Sequence, residues 1–185
     1  ALARWIHFMA GVMWIGLLYY FNFVQVAALK NAAADGTAAG INKHVAPRAL
    51  LFFRWAAVLT WLAGAALLGP LFTDAFLLRN GMGPIGIGAW LGTVMLFNVW
   101  VLIWPNQKKV LGLKPASDEE KNRARRVAFL ASRTNVMLSV PMLFFMAGTA
   151  ARAAVFYSGS AIEFRFGAVR NNNSRYTGDS LRGLP

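Results

Sequence analysis

The stretch RWIHFMAGVMWIG, residues 4–16, places one histidine inside an otherwise apolar run. Gly11 and Trp14 follow His7 one and two turns further along a helix, so the three positions share one face. With its apolar continuation to residue 29, the run is long enough to cross about 30 Å of hydrocarbon as a helix. The stretch therefore predicts a membrane-spanning helix that carries an ionisable group.

The composition of the whole chain also indicates a membrane protein. The 185 residues are 57% hydrophobic and 14% charged, with a mean hydropathy of +0.46, whereas soluble domains carry about 25% charged residues. The lack of cysteine excludes disulfides, Cys-ligated zinc, iron–sulfur clusters and covalently attached c-type haem on this chain. The net charge of +12 arises mostly between apolar runs, where lipid is the natural partner, so we expect no nucleic-acid binding.

Four apolar segments predict an all-α integral membrane protein with a bundle of four transmembrane helices. Helix-ending residues mark their bounds, such as Pro70 and the Trp104-Pro105 pair. The first segment is too long for a signal-peptide core and lacks a cleavage motif, so we expect it to be retained. The predicted transmembrane domain covers residues 1–157, with spans at residues 4–29, 49–70, 84–105 and 134–157.

The lysines and arginines of the connections predict the orientation in the membrane. The first and third connections are rich in these residues, whereas the second contains only Arg79. By the positive-inside rule, the first and third connections face the cytoplasm of a bacterium, and both termini face the periplasm across the inner membrane. The basic residues of the two cytoplasmic connections are Lys30, Lys43, Arg48, Lys108, Lys109, Lys114, Lys121, Arg123, Arg125, Arg126 and Arg133.

The third connection predicts a basic amphipathic helix that leads into the fourth span. Ser117 and Glu120 have the spacing of a capping box. Small apolar residues then recur at the i, i+3, i+4, i+7 spacing of one helix face. Contact with lipid headgroups is favoured over a docking site for another protein. The apolar positions are Ala124, Val127, Ala128 and Ala131.

One narrow sector of the first helix combines polar and aromatic side chains with a glycine. Lipid would leave an imidazole and an amide without hydrogen-bond partners, so this sector is expected to face protein. Asn22, Asn98 and Asn135 are expected to join helices rather than to bind ligands. The positions of the sector are His7, Gly11, Trp14, Leu18 and Gln25.

Two interpretations of His7 stay open. In the structural one, Gly11 permits a close helix crossing, and His7 bonds to a neighbour such as Asn98 or Ser139. In the other, His7 is an axial ligand of the iron of haem b, and Gly11 lets the macrocycle lie against the backbone. Proton transfer and contact with quinone are further roles. Arg54 either extends to the interface or pairs with an anionic substrate or a haem propionate. The candidate haem site comprises His7, Gly11, Trp14 and Arg54.

From Ser158 to Pro185 the chain is rich in Gly, Ser, Asn and Arg, which predicts an extended polar tail. A segment of this composition cannot form its own core and becomes ordered when a partner holds it. Aromatic rings among arginines suit an acidic periplasmic surface, and the alternative is that the tail folds back on its own helices. The predicted partner-binding residues are Phe164, Arg165, Phe166, Arg170, Arg175 and Tyr176.

Three motifs carry a resemblance to a known family. They are W-x-H-x3-G-x2-W-I-G at residues 5–16, I-W-P-N-Q-K-K-x-L-G at 103–112, and S-R-T-N-V-M-L-S-V-P-M-L-F-F-M at 132–146. In this order they resemble the membrane domain of bacterial urate hydroxylases of the PuuD family, over roughly residues 4–150. The first motif is also similar to HemJ-type protoporphyrinogen oxidases and CopD-like membrane proteins. The resemblance implies redox chemistry in the inner membrane, where family members pass electrons from urate to a C-terminal cytochrome c domain.

The chain departs from that family pattern in two respects. It has about half of the family's spans, and it lacks the Cys-x-x-Cys-His that attaches the cytochrome haem. The sequence also shows no nucleophile–base pair or paired carboxylates, so the catalytic residues stay unassigned and we expect no urate hydroxylation by this chain alone.

Two hypotheses follow. In the first, the chain is an accessory or structural subunit of a respiratory or photosynthetic electron-transfer complex, in contact with lipid, other membrane subunits, and quinone or cytochrome c. In the second, it is the membrane component of a urate-oxidising enzyme that passes electrons to a separate cytochrome c.

Overall fold

Four long helices make up the regular structure of the chain. The computed structural model describes residues 1–148 with their side chains and residues 149–179 as backbone. Over this part of the chain the regular structure is helical, without strands. Each of the four helices is long and apolar enough to cross a membrane, which confirms the predicted number. They are α1 (Leu2–Ala34), α2 (Ala38–Phe76), α3 (Gly83–Val110) and α4 (Asp118–Asp179).

Three of the helices contain a π-helical segment, at Tyr20–Gln25 in α1, Ile41–Val45 in α2 and Asn98–Ile103 in α3. Such segments are rare and occur often at functional sites. α2 also contains a short 3-10 turn at Gly69–Leu71, where Pro70 lies and Gly69 has a φ of 50°. The regular α-helical parts are Leu2–Tyr19 and Val26–Ala34 in α1; Ala38–Gly40, Ala46–Leu68 and Phe72–Phe76 in α2; and Gly83–Phe97 and Trp104–Val110 in α3.

The chain divides into two compact units, Ala1–Phe145 and Met146–Pro185. Among α1, α2 and α3, the most extensive contact is between α1 and α2. Leu18 and Phe53 are almost completely buried. The first turn of α3 packs closely on the last turn of α2. The absence of a side chain at Gly86 permits this contact, since a Cβ there would overlap the carbonyl oxygen of Ala75. The first unit therefore holds all the contacts from which the site is built.

Large apolar side chains cover much of the outer surface of these helices. Trp5, Val12 and Met137 are more than 65% exposed. Exposed apolar surface on this scale marks contact with a membrane or with another protein. The outward faces are therefore suited to a hydrocarbon environment.

α4 begins with the predicted capping box. The backbone N–H of Ser117 donates to Glu120 Oε2 at 3.0 Å, and the N–H of Glu120 donates to Ser117 Oγ at 3.2 Å. The segment predicted as an amphipathic helix is the first part of α4, which continues without a break into the fourth apolar segment. Its lipid contact stays a prediction. One buried stripe runs along α4 through Ala124, Ala128, Ala131, Asn135, Ser139 and Met142.

The C-terminal segment is helical where the sequence predicts an extended tail. α4 continues to Asp179, and no proline between Pro141 and Pro185 prevents a helix. Residues 180–185 and all side chains from residue 149 onward lie outside the described part of the chain. The predicted partner-binding residues Phe164, Arg165, Phe166, Arg170, Arg175 and Tyr176 are among them.

Candidate functional site

His7 joins α1 to α2 by one hydrogen bond. Its Nδ1 lies 2.9 Å from the backbone carbonyl oxygen of Thr60. A carbonyl only accepts, so Nδ1 is the donor, and in the neutral form of this tautomer Nε2 has a lone pair. The hydroxyl of Thr60 donates separately to the Ala56 carbonyl at 2.7 Å. The structural interpretation named Asn98 or Ser139 as the partner of His7, and this was wrong: the partner is a backbone group of α2.

Gly64 of α2 leaves space for the His7 ring where α1 crosses α2. A Cβ at Gly64 would lie only 3.0 Å from His7 Cε1 and 3.2 Å from Nδ1. A Cβ at Gly11 would lie 3.7 Å from Thr60 Cγ2, which is an ordinary van der Waals distance. The contact at Gly64, which sequence reasoning missed, is therefore tighter than the one at Gly11.

Arg54 contacts α3. Its guanidinium carbon lies 3.8 Å from the centre of a ring of Trp104, and Lys108 Nζ lies 5.6 Å from the Trp104 ring. A cation over the face of tryptophan is attracted by the quadrupole of the ring. Arg54 thus helps to hold α2 against α3.

The four residues of the candidate haem site take part in different contacts. His7 and Gly11 pack on α2 near Thr60, so the face of Gly11 expected to support a macrocycle lies against a side chain. Trp14 is 2% exposed, and its indole nitrogen has no hydrogen-bond partner. Arg54 contacts Trp104 instead. His7 Nε2 is the atom of this set that is suited to ligate iron, and haem binding stays a prediction.

Amide side chains join α3 to α4. Asn98 Nδ2 donates to Asn135 Oδ1 at 2.8 Å, and Asn135 Nδ2 donates to the Met95 carbonyl at 3.0 Å. Asn135 is completely buried. These bonds confirm that the asparagines join helices.

Two further bonds join α1 to α4. Asn22 Nδ2 donates to Ser132 Oγ at 2.7 Å. The Tyr19 hydroxyl lies 2.9 Å from Ser139 Oγ, which itself donates to the Val136 carbonyl, so the tyrosine is the donor. Sequence reasoning offered Ser139 as a partner of His7 and did not find Tyr19 or Ser132, although the polar residues recur along one face of α4. We call the residues of these bonds, together with the buried Gln25 of the same segment of α1, the amide layer: Tyr19, Asn22, Gln25, Asn98, Ser132, Asn135 and Ser139.

The amide layer has hydrogen-bonding atoms left over. Asn22 Oδ1 and Gln25 Oε1 are buried acceptors without a partner, and both lie in the π-helical segment of α1. The indole N–H of Trp100, in the π-helical segment of α3, is a buried donor without a partner. Such groups are rare in folded proteins and call for water or a ligand. The two oxygens can accept hydrogen bonds from N–H or O–H groups.

Among residues 1–148, no group of three or more His, Cys, Asp or Glu side chains could hold a metal ion. The helix contacts described above are made instead by amides, hydroxyls, the imidazole of His7 and the guanidinium of Arg54.

The comparison with protein families agrees with the resemblance found in the sequence. Residues 73–160 match the family model described as urate oxidase N-terminal. This range contains the second and third motifs, so the match confirms the resemblance to the urate hydroxylase membrane domain there. His7, Gly11, Trp14 and Arg54 precede the matched range. No curated protein and no solved structure matches the chain.

Proposed function

We propose that this chain is a non-self-sufficient subunit of a larger respiratory or photosynthetic electron-transfer complex. The observation that carries the proposal is the use of the polar side chains within the helices. His7 bonds to α2, Asn98 bonds to Asn135, and Asn22 bonds to Ser132. These groups join helices, as expected for a scaffold. The redox setting rests on the match to a urate oxidase domain.

The proposed location is the bacterial inner membrane, with four spans and both termini in the periplasm. The length and apolar composition of the helices support insertion, and the distribution of lysine and arginine supports the orientation. The lack of native cysteine permits a direct test. Single cysteines in place of Lys43 and Arg79, both exposed, would be treated in cells with a maleimide that cannot cross the inner membrane. Labelling of Arg79→Cys alone supports the orientation, and labelling of Lys43→Cys alone reverses it.

The subunit proposal is tested by purification from native membranes. We expect the chain to copurify in fixed stoichiometry with polypeptides that carry redox cofactors. A chain recovered alone after mild extraction would contradict the proposal. Deletion from residue 158 onward is expected to leave insertion intact and to reduce copurification, because the tail is proposed to bind a partner.

Haem b at His7 is the proposed cofactor, and a pyridine haemochrome spectrum of the purified chain tests it. A b-type signal that His7→Ala abolishes would support ligation through Nε2. A colourless chain would remove haem from the proposal.

A second candidate function is the membrane component of a urate-oxidising enzyme that passes electrons to a separate cytochrome c. The unpartnered oxygens of Asn22 and Gln25 favour it, because urate carries several N–H donors. The test is urate-dependent reduction of added cytochrome c by membranes that contain the chain. Gln25→Met is expected to lower the rate, whereas Asn106→Leu, which removes an amide that bonds only within α3, serves as the control.

The gene neighbourhood separates the two functions further. Purine-catabolism genes beside the coding gene would favour the enzyme, and genes for respiratory or photosynthetic proteins would favour the subunit. The hydroxyls of a quinol could also donate hydrogen bonds to the amide layer. Inhibition of urate-dependent cytochrome c reduction by added quinone would support quinol as the ligand.

A further inference from the structure

Two cations from neighbouring helices lie near one aromatic side chain. Arg54 of α2 is 3.8 Å from a Trp104 ring centre, and Lys108 of α3 is 5.6 Å from the Trp104 ring. All three residues are half-buried. Charges partly withdrawn from water repel each other more strongly than charges in bulk solvent. This pair of cations therefore favours an anion nearby.

The hydrogen-bonding edge of Arg54 is available to such an anion. A guanidinium over an aromatic ring contacts it with its face and keeps five N–H donors at its edge. Within residues 1–148, no acceptor bonds to these N–H groups. The ion pairs in that part of the chain are Lys121–Asp118 and Arg123–Glu119, both at the start of α4. An anion for Arg54 must therefore come from outside the described residues.

The position of Trp104 and Lys108 in α3 indicates the kind of anion that binds. Trp104 and Lys108 lie in the last two turns of α3, after its apolar part. Tryptophan followed by lysines is typical of the membrane interface, where lipid phosphates lie. Arginine binds phosphate through two parallel N–H···O bonds, and basic pockets between helices bind anionic headgroups.

We propose that Arg54 and Lys108 form a binding site for the phosphate of an anionic phospholipid between α2 and α3. The site rests on the proposed insertion of the helices into a membrane. Arg54 supplies the paired N–H donors, Lys108 a second charge, and Trp104 the surface that orients the guanidinium. The negative charge of the bound phosphate offsets the repulsion between the two cations.

The full chain in vesicles of phosphatidylcholine with increasing phosphatidylglycerol tests the site. Native mass spectrometry would count the lipids that stay bound, and flotation would report insertion separately. We expect phosphatidylglycerol to be retained in preference to phosphatidylcholine. Arg54→Gln is expected to weaken this retention about tenfold, since it removes a charge-assisted contact, and Lys108→Gln less.

The matched control is Lys109→Gln, which removes the same charge from the same turn of α3 but leaves Arg54 and Lys108 on Trp104. Equal losses in Lys109→Gln and Arg54→Gln would show general attraction of basic residues to the membrane and would overturn the site. So would equal retention of the two lipids. If Arg54→Gln does not fold, Arg54→Lys replaces it, with an intermediate loss expected because lysine lacks the planar fork.

Two further outcomes separate the alternatives. Failure of the chain to float with vesicles would contradict the proposed membrane function itself. Carbodiimide treatment of native membranes would couple Lys108 to any carboxylate of another protein within reach. A product with another protein that is lost in Lys108→Arg would assign the site to that protein and overturn the lipid proposal.

Discussion

The α1–α2 crossing and the amide layer place polar side chains among apolar helices in different ways. At the crossing, His7 bonds to the backbone carbonyl of Thr60, and Gly64 makes room for its ring. In the amide layer, side chains bond to other side chains, as in the pair Asn98–Asn135. The first region depends on the fit of one side chain against a helix backbone, and the second on the match between side chains of three helices.

This difference determines where a ligand can bind. A neutral imidazole has one donor and one acceptor, and the crossing uses the donor. An amide has two donors and an oxygen with two lone pairs, so a layer of amides rarely satisfies every atom. Asn22 Oδ1 and Gln25 Oε1 are the atoms left over. The crossing thus leaves one imidazole nitrogen for a ligand, whereas the amide layer leaves two amide oxygens.

The largest expected loss of stability comes from a substitution at the α1–α2 crossing. Gly64→Leu inserts a side chain where even a Cβ would be 3.0 Å from His7 Cε1. We expect the free energy of unfolding in detergent to fall by about 1–3 kcal/mol, the range for overpacking. Gly16→Leu is the control, because no atom lies within 4 Å of a Cβ there. Equal stability of the two variants would contradict the close approach.

Asn135→Leu breaks the amide layer at its centre. It leaves Asn98 Nδ2 without an acceptor and is expected to lower the free energy of unfolding by about 1–2 kcal/mol. A double-mutant cycle with Asn98→Leu checks the cause. The two losses should be less than additive, because each single change already breaks the shared bond. Strict additivity would mean that the pair does not interact.

His7→Ala sharpens the comparison, since it removes one bond to a backbone group. The expected loss in free energy of unfolding is about 1 kcal/mol, the scale of a hydrogen bond between membrane helices. Thr60→Val keeps the carbonyl acceptor and should preserve the His7 bond. Gly11→Leu should cost more than His7→Ala, because its longer side chain meets Thr60. A larger loss for Thr60→Val than for His7→Ala would count against this assignment.

The smallest effect concerns the leftover acceptors. Gln25→Met removes a buried oxygen without a partner at similar volume, so the purified chain should gain about 0.5 kcal/mol in free energy of unfolding. If a ligand donates a hydrogen bond to Gln25 Oε1, Gln25→Met should instead lower the free energy of unfolding, because the variant loses that bond. Asn106→Leu in α3 is the control for loss of a bonded amide. A loss of stability in the purified chain would mean that water or lipid already occupies Gln25 Oε1.

The sequence predicts helices better than it predicts their contacts. Hydropathy indicates four apolar segments, and the spacing of Ser117 and Glu120 indicates the start of α4, because both signals are local. The predicted spans are shorter than the helices, since polar residues continue a helix beyond its apolar part. The partner of His7 depends on how far α2 is shifted along its axis and rotated about it relative to α1. No local pattern in either helix encodes these, and so Thr60 and Gly64 were missed.

The π-helical segments were not predicted either. No residue type around Asn22 or Asn98 distinguishes a π-helical turn from an α-helical one in the sequence. The left-over acceptors of the amide layer were missed for the same reason.

The π-helical turn at Tyr20–Gln25 constrains how the length of this chain can change in evolution. Such a turn accommodates one residue more than a regular turn, so deletion of one residue there would restore an α-helix. Everything before the turn would then rotate by about 100° relative to everything after it. His7 would leave Thr60, or Gln25 would leave the interior. Homologous chains that keep both residues are therefore expected to show no insertion or deletion between Leu18 and Gln25.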